Sequence, residues 1–176
     1  MTPVVPWEVV VVTTPLLPAV VAVLTVRCCD DPMAGLEEVL APRRVTRVRL
    51  VWALLLTVGL AAAVAVVVLG SQVLLPGADD AGSSALSAAR NAAAFFSLGL
   101  LTAVLLGGDL GWTVPVLLVT ALLFFGRDPD QVVREWALLL RPGDDAAAGL
   151  IVVLLVVLSA AAYSRRDTIG VLLAKD

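Results

Sequence analysis

The chain has 176 residues, 60% of them hydrophobic and 15% charged, with a mean hydropathy of +1.01. A soluble domain carries about 25% charge and about 45–50% apolar residues, so the composition points to a membrane protein and excludes a disordered one. Twelve Lys and Arg stand against 15 Asp and Glu, with no basic face outside one loop, which argues against a nucleic-acid partner.

A charge at the bilayer centre costs about 2.5–3.5 kcal/mol, so spans show as charge-free apolar windows. The first window runs over 9–26 and ends at Arg27. Pro15 and Pro18 interrupt it; each removes a backbone donor and kinks a helix. A kinked span is the adopted reading, and a broken or interfacial helix is its alternative. No Lys or Arg precedes Arg27, so the basic start of a secretory signal is missing and the segment is expected to stay in the mature protein.

The loop 27–49 follows. Asp31 is a helix cap and Pro32 a first helical residue. Leu36, Val39 and Leu40 then share one face, with Glu37 and Glu38 away from it. Pro42 closes this short amphipathic helix, and Arg43, Arg44, Arg47 and Arg49 form a basic anchor at the membrane. The plain reading is a surface helix with snorkelling arginines. The sharper one is a docking surface for a cytoplasmic partner, made by Leu36, Glu37, Glu38, Val39, Leu40, Arg43, Arg44 and Arg47.

The second window covers 50–75, and a polar outer loop follows over 76–90. The third and fourth, 91–108 and 110–126, share a Gly-rich turn and read as a tight helical hairpin. Arg90 and Asn91 open the third window and read as anchors at its edge. No span is expected to hold an ionisable residue at its centre, which argues against an ion-coupled carrier. In the outer segment 127–145, Asp130 caps an expected helix over 131–140. Val132, Val133, Trp136, Leu139 and Leu140 would make its apolar face, lying on the membrane surface. The fifth window is 146–164, and the tail is 165–176.

Eight of the 12 basic residues lie in 27–49 and in the tail. With five spans these fall on one side, which the basic-residue rule assigns to the cytoplasm. The N-terminus is then outside and the C-terminus inside, in the cell (inner) membrane.

Little here carries enzyme chemistry. The chain has no His, and its Cys residues are the adjacent Cys28 and Cys29, which make no metal site without other ligands. There is no phosphate-binding Gly loop followed by Lys and no nucleophile elbow. Neither an enzyme nor a cofactor is expected.

Several segments carry a resemblance. The run PLLPAVVAVLTVRCCDDPMAGLEEVLAPRRVTRVRLVW joins a Pro-rich apolar segment to an acidic-then-basic loop and a long Ala/Leu/Val span. An ARN triplet heads a later span, then come the Gly-rich hairpin and a Trp-containing segment ending Arg-Pro-Gly-Asp-Asp. Together these resemble small actinobacterial integral membrane proteins similar to ABC-2-type transporter permeases. The resemblance implies a permease-like subunit of an exporter, partnered by a separate cytoplasmic ATPase that engages the loop 32–49. The chain departs from the six-span permease half in showing five windows.

The expectation is an all-α, polytopic transmembrane helical bundle forming a single domain over 1–176. It has about five spans, a short hairpin and two interfacial amphipathic helices. Its partners would be the lipid bilayer, an ATPase subunit, and further copies or other chains in a homo- or hetero-oligomer. The rival expectation is a non-transporting membrane protein that scaffolds or stabilises another complex.

Overall fold

The computed structural model describes residues 18–20, 22, 24, 42–74, 81–128, 130 and 132–165. Among these residues the long elements are all helices: α1 (Pro42–Leu74), α2 (Ala81–Leu106), α3 (Thr113–Phe125) and α4 (Ala146–Ser164). Single 3-10 turns occur at Gly108–Leu110 and Leu138–Leu140. Four helical stretches are long and apolar enough to cross a membrane, at Arg47–Gly70, Gly82–Leu106, Gly108–Phe125 and Ala146–Ser164. The described long elements are therefore all helical, and the chain is consistent with a multi-pass membrane protein.

Of the first apolar window, 18–20, 22 and 24 are helical. Pro18, Ala19 and Ala22 are buried, while Val20 and Leu24 are exposed. These positions split into an inner and an outer face at helical spacing. The rest of that window and the amphipathic helix expected over 32–41 lie outside the described residues.

Helix α1 starts earlier than the apolar window at Leu50. Pro42 opens it, since a missing N–H costs nothing at a first helical position. Arg43, Arg44, Arg47 and Arg49 are consequently helical residues and not loop. With 33 residues, α1 is roughly 50 Å long, well beyond a hydrocarbon core of about 30 Å. Arg49, Ala53, Thr57, Leu60 and Val64 are buried, spaced by three and four as one stripe. The Thr57 hydroxyl donates to the Ala53 carbonyl at 2.8 Å, so no buried hydroxyl is stranded there. Val51, Leu55, Val58 and Val66 are exposed, as lipid-facing residues are.

Helix α2 also starts earlier than its window. Residues 81–89 are rich in Ser, Gly and Ala and read as loop by composition, yet they are helical. Small side chains are what close packing needs there, because the turn at Gly143 lies directly against this segment. A Cβ at Gly143 would collide with the Ser83 carbonyl and crowd the Ser87 amide. Helix α2 packs against α1, α3 and α4, and α1 also packs against α4. It is the most buried of the four candidate spans. Phe95, Phe96, Leu100, Asn91 and Ser97 of α2 are fully buried and fill the middle of the bundle.

The α2–α3 connection turns on Gly107, whose φ of 97° lies where an L side chain is strained. Its N–H donates to the Ala103 carbonyl at 3.1 Å and ends the helix. Helix α3 has 13 residues, roughly 20 Å, and reaches spanning length only with the preceding 3-10 turn. Pro115 is tolerated because it sits in the first turn. Helix α4 occupies the same residues as the fifth apolar window. Asp145 caps it by accepting from the Ala148 N–H at 3.0 Å.

Candidate functional site

Of the residues expected to dock a partner, Leu36, Glu37, Glu38, Val39 and Leu40 lie outside the described residues. Arg43 and Arg44 fall in the first turn of α1, and Arg47 is an exposed residue of the same helix. Arg49, the last arginine of that cluster, is 2% exposed, on the face that packs into the bundle. Arg47 and Arg49 thus lie on different faces of the helix.

The strongest concentration of buried polar contacts is elsewhere, at Arg90 and Asn91. Arg90 lies nine positions after Ala81, roughly 13 Å of helical rise, so it is well inside α2. It is 7% exposed, and Asn91 is fully buried. Arg90 Nη1 donates to the Pro142 carbonyl at 2.8 Å. Its Nη2 donates to the Arg141 carbonyl at 2.7 Å and to the Leu138 carbonyl at 3.3 Å. Asn91 Nδ2 donates to the Leu139 carbonyl at 2.9 Å. Only the amide nitrogen can face a carbonyl, so this contact also sets the orientation of the Asn91 amide. Four consecutive-region carbonyls are thereby held by two neighbouring side chains of α2.

The anchoring expected of Arg90 and Asn91 is made to the protein's own backbone. Arg90 lies in the first half of the candidate span Gly82–Leu106 and not at its centre. Helix α4 starts near its level, since the Asp145 carboxylate is close enough to act electrostatically on Arg90.

The helix expected over 131–140 does not form. Residues 132–137 are irregular, and 138–140 make one 3-10 turn. Two physical causes are visible. Pro142 has no N–H with which to bond the Leu138 carbonyl in a helical pattern. The carbonyls of 138, 139, 141 and 142 are instead satisfied from α2. Non-helical backbone near a membrane is tolerated when its polar groups are satisfied by protein, and Arg90 and Asn91 supply that.

The rest of the segment folds back on itself. Arg127 and Val133 form an isolated antiparallel bridge. The Arg134 N–H donates to the Gly126 carbonyl at 3.0 Å, and Arg134 Nε donates to Asp128 Oδ1 at 2.6 Å. That ion pair is exposed and adds little stability. Leu139 is buried while Val132 and Trp136 are exposed, so the expected apolar face is split between core and surroundings. Gly126 has no room for a side chain, because a Cβ would meet the Leu122 carbonyl and the Leu140 side chain.

Asp145 joins this segment to α4. Arg141 Nη1 donates to Asp145 Oδ2 at 3.1 Å, and Arg141 Nη2 donates to the Glu135 carbonyl at 2.9 Å. The hydrogen bond from the Ala148 amide, then that from Arg141, hold the Asp145 carboxyl below its usual value of about 3.9. A lowered folded value means that the cap stabilises above about pH 4 and fades as pH falls through the folded value.

Chemically, the Arg90–Asn91 node is a clamp. A guanidinium donates and never accepts, and its Nη donors are directed at backbone carbonyls. Nothing brought together here makes a nucleophile with a base. The local signal for the node was an Arg-Asn pair within an Ala-rich helix; its partners, 48 to 52 residues away, had none. Compared with protein families, curated proteins and solved structures, the chain matches none of them.

Proposed function

We propose that the chain is a non-transporting integral membrane protein that scaffolds or stabilises another membrane complex. One observation supports this most: Phe95, Phe96, Ser97 and Leu100 of α2 are all fully buried, the two rings and Leu100 in the core cluster of the bundle. Side chains spent on packing favour a structural role over the lining of a pathway. The exposed apolar faces of α1, α3 and α4 are then the surfaces available to lipid and to other subunits.

A permease-like subunit of an ABC-type exporter is the second reading. The arginines at 43, 44 and 47, on a helix with no acidic residue, favour it as a surface for a cytoplasmic ATPase. Any pathway would then form between this chain and a second subunit. Purification of the full chain in mild detergent, with identification of co-purifying chains and assay of ATP hydrolysis, separates the two. We expect integral membrane partners, retained by the double variant Leu36→Asp, Leu40→Asp, and no associated ATP hydrolysis. A co-purifying ATPase that this double variant loses would overturn the scaffold reading.

We further propose that the start of α1 and the end of α4 face the cytoplasm, with the N-terminus outside, on the basis of the arginine asymmetry. Single-cysteine variants at Gly82 and Arg165, with Cys28 and Cys29 replaced, test this in intact cells. A membrane-impermeant maleimide should label the first and reach the second only after permeabilisation. The opposite pattern would invert the topology.

A further inference from the structure

We infer that Arg90 Nε and Asn91 Oδ1 share one buried water molecule, which completes the joint between α2 and the segment 138–142. Both atoms are buried, and neither has a hydrogen-bond partner in the protein. The two residues are 7% and 0% exposed. Buried polar atoms with no protein partner are exceptions, and an ordered water commonly satisfies them. The two side chains converge on one place. Arg90 Nη2 donates to the Leu138 carbonyl, and Asn91 Nδ2 donates to the next carbonyl, that of Leu139. Nε lies on the same edge of the guanidinium as Nη2, and Oδ1 is the other end of the Asn91 amide. The unpaired donor and the unpaired acceptor thus flank one backbone step of the 3-10 turn Leu138–Leu140.

Neither atom can find a partner by rotation. Ser97 Oγ is also buried without one, but a helical hydroxyl can turn to a carbonyl four residues back, as those of Thr57 and Thr102 do. Turning the Asn91 amide would instead set Oδ1 against the Leu139 carbonyl, acceptor against acceptor. Turning the guanidinium would withdraw its Nη donors from Pro142, Arg141 and Leu138. The pair therefore calls for a small group that accepts on one side and donates on the other. A cation would face the guanidinium, and an anion would face Oδ1. Water meets both demands, and a buried water makes about three hydrogen bonds. It accepts from the Arg90 Nε–H and donates to Asn91 Oδ1. Its second proton can go to the Leu139 carbonyl, which has two lone pairs and takes one hydrogen bond from Asn91. The inference concerns how the segment 126–145 is held, and it stands whether the protein scaffolds or transports.

The test uses the full chain, isotopically labelled, in detergent micelles. A rotating-frame nuclear magnetic resonance experiment on the water signal gives direct contact and proton exchange opposite signs. The Arg90 Nε–H resonance, identified by its loss in Arg90→Lys, should show a direct-contact peak to water. Asn91→Leu removes the acceptor and should abolish that peak while the Nε–H resonance itself persists. Ser97→Ala removes the other unpaired oxygen and should leave the peak unchanged. Where Asn91→Leu unfolds the protein, the parent spectrum decides alone: absence of a direct-contact peak at the Arg90 Nε–H would overturn the site. So would scalar coupling from Nε to the Asn91 side-chain carbonyl, the mark of a direct hydrogen bond with no water between. A peak undiminished in folded Asn91→Leu would overturn the bridge, because the water would then belong to Arg90 alone.

Discussion

Arg90→Met is expected to cost about 3–5 kcal/mol and to release the segment 126–145 from α2. The variant keeps the length of the side chain and removes the donors, so the carbonyls of Leu138, Arg141 and Pro142 lose their Arg90 hydrogen bonds together. The Leu138 and Pro142 carbonyls each keep a backbone donor, the Arg141 and Asp145 amides at 3.3 Å, while the Arg141 carbonyl loses its donor; a hydrogen bond from a charged donor contributes about 1.5–3 kcal/mol, and near a membrane there is little water to replace it. Arg90→Lys should recover only part of the loss, because a compact ammonium cannot reach three carbonyls that a planar fork spans. Asn91→Leu removes one hydrogen bond and should cost less than Arg90→Met. Thermal unfolding in mild detergent gives the global term. Amide exchange gives the local one, with faster exchange in 132–145 and unchanged exchange in the middle of α3. Unaltered melting and exchange in Arg90→Met would show that the clamp does not hold the segment.

What could be read from the sequence follows from where the deciding interactions lie. Helix α4 was legible because charges bracket its apolar run, with Asp144 and Asp145 before it and Arg165 after it. Its cap is a local bond across three residues. The hairpin was legible because Gly107 and its neighbours are local turn chemistry. The start of α2 was not, because Ser83, Ser87 and the alanines between them are poor evidence for a helix until the turn at Gly143 is seen lying on them. Residues 132–140 were misread for a similar reason. Their apolar spacing suits a helix, but the hydrogen bonds that decide the outcome come from Arg90 and Asn91. A helical period describes which residues share a face; it does not report which carbonyls are already taken. The arginines after Pro42 show the complementary case. Their basic character was evident from composition, whereas the separation of buried Arg49 from exposed Arg47 required knowing that one helix runs through both.

Phe95→Ala is expected to cost about 3 kcal/mol, at the low end for emptying a Phe site. Phe95 is fully buried in the centre of the bundle, beside Phe96 and Leu100 in α2. In water such a loss combines a transfer term with a cavity term. Between membrane helices the transfer term is small, because lipid tails are as apolar as the core. What remains is the loss of close contacts around the ring, which surrounding helices recover only by shifting toward one another. The same substitution at Phe124 should be nearly neutral, since that ring is 75% exposed on the outward side of α3. Comparing the two separates packing from hydrophobicity, because both variants remove the same atoms. Melting in detergent checks the stability difference, and the assembly state checks its consequence. If the filled centre keeps the exposed helix faces in fixed relation, Phe95→Ala should weaken association with membrane partners. Phe124→Ala would do so only if that face is itself the contact. Equal melting of the two variants would mean that the centre is loosely packed, and the scaffold proposal would lose its main support.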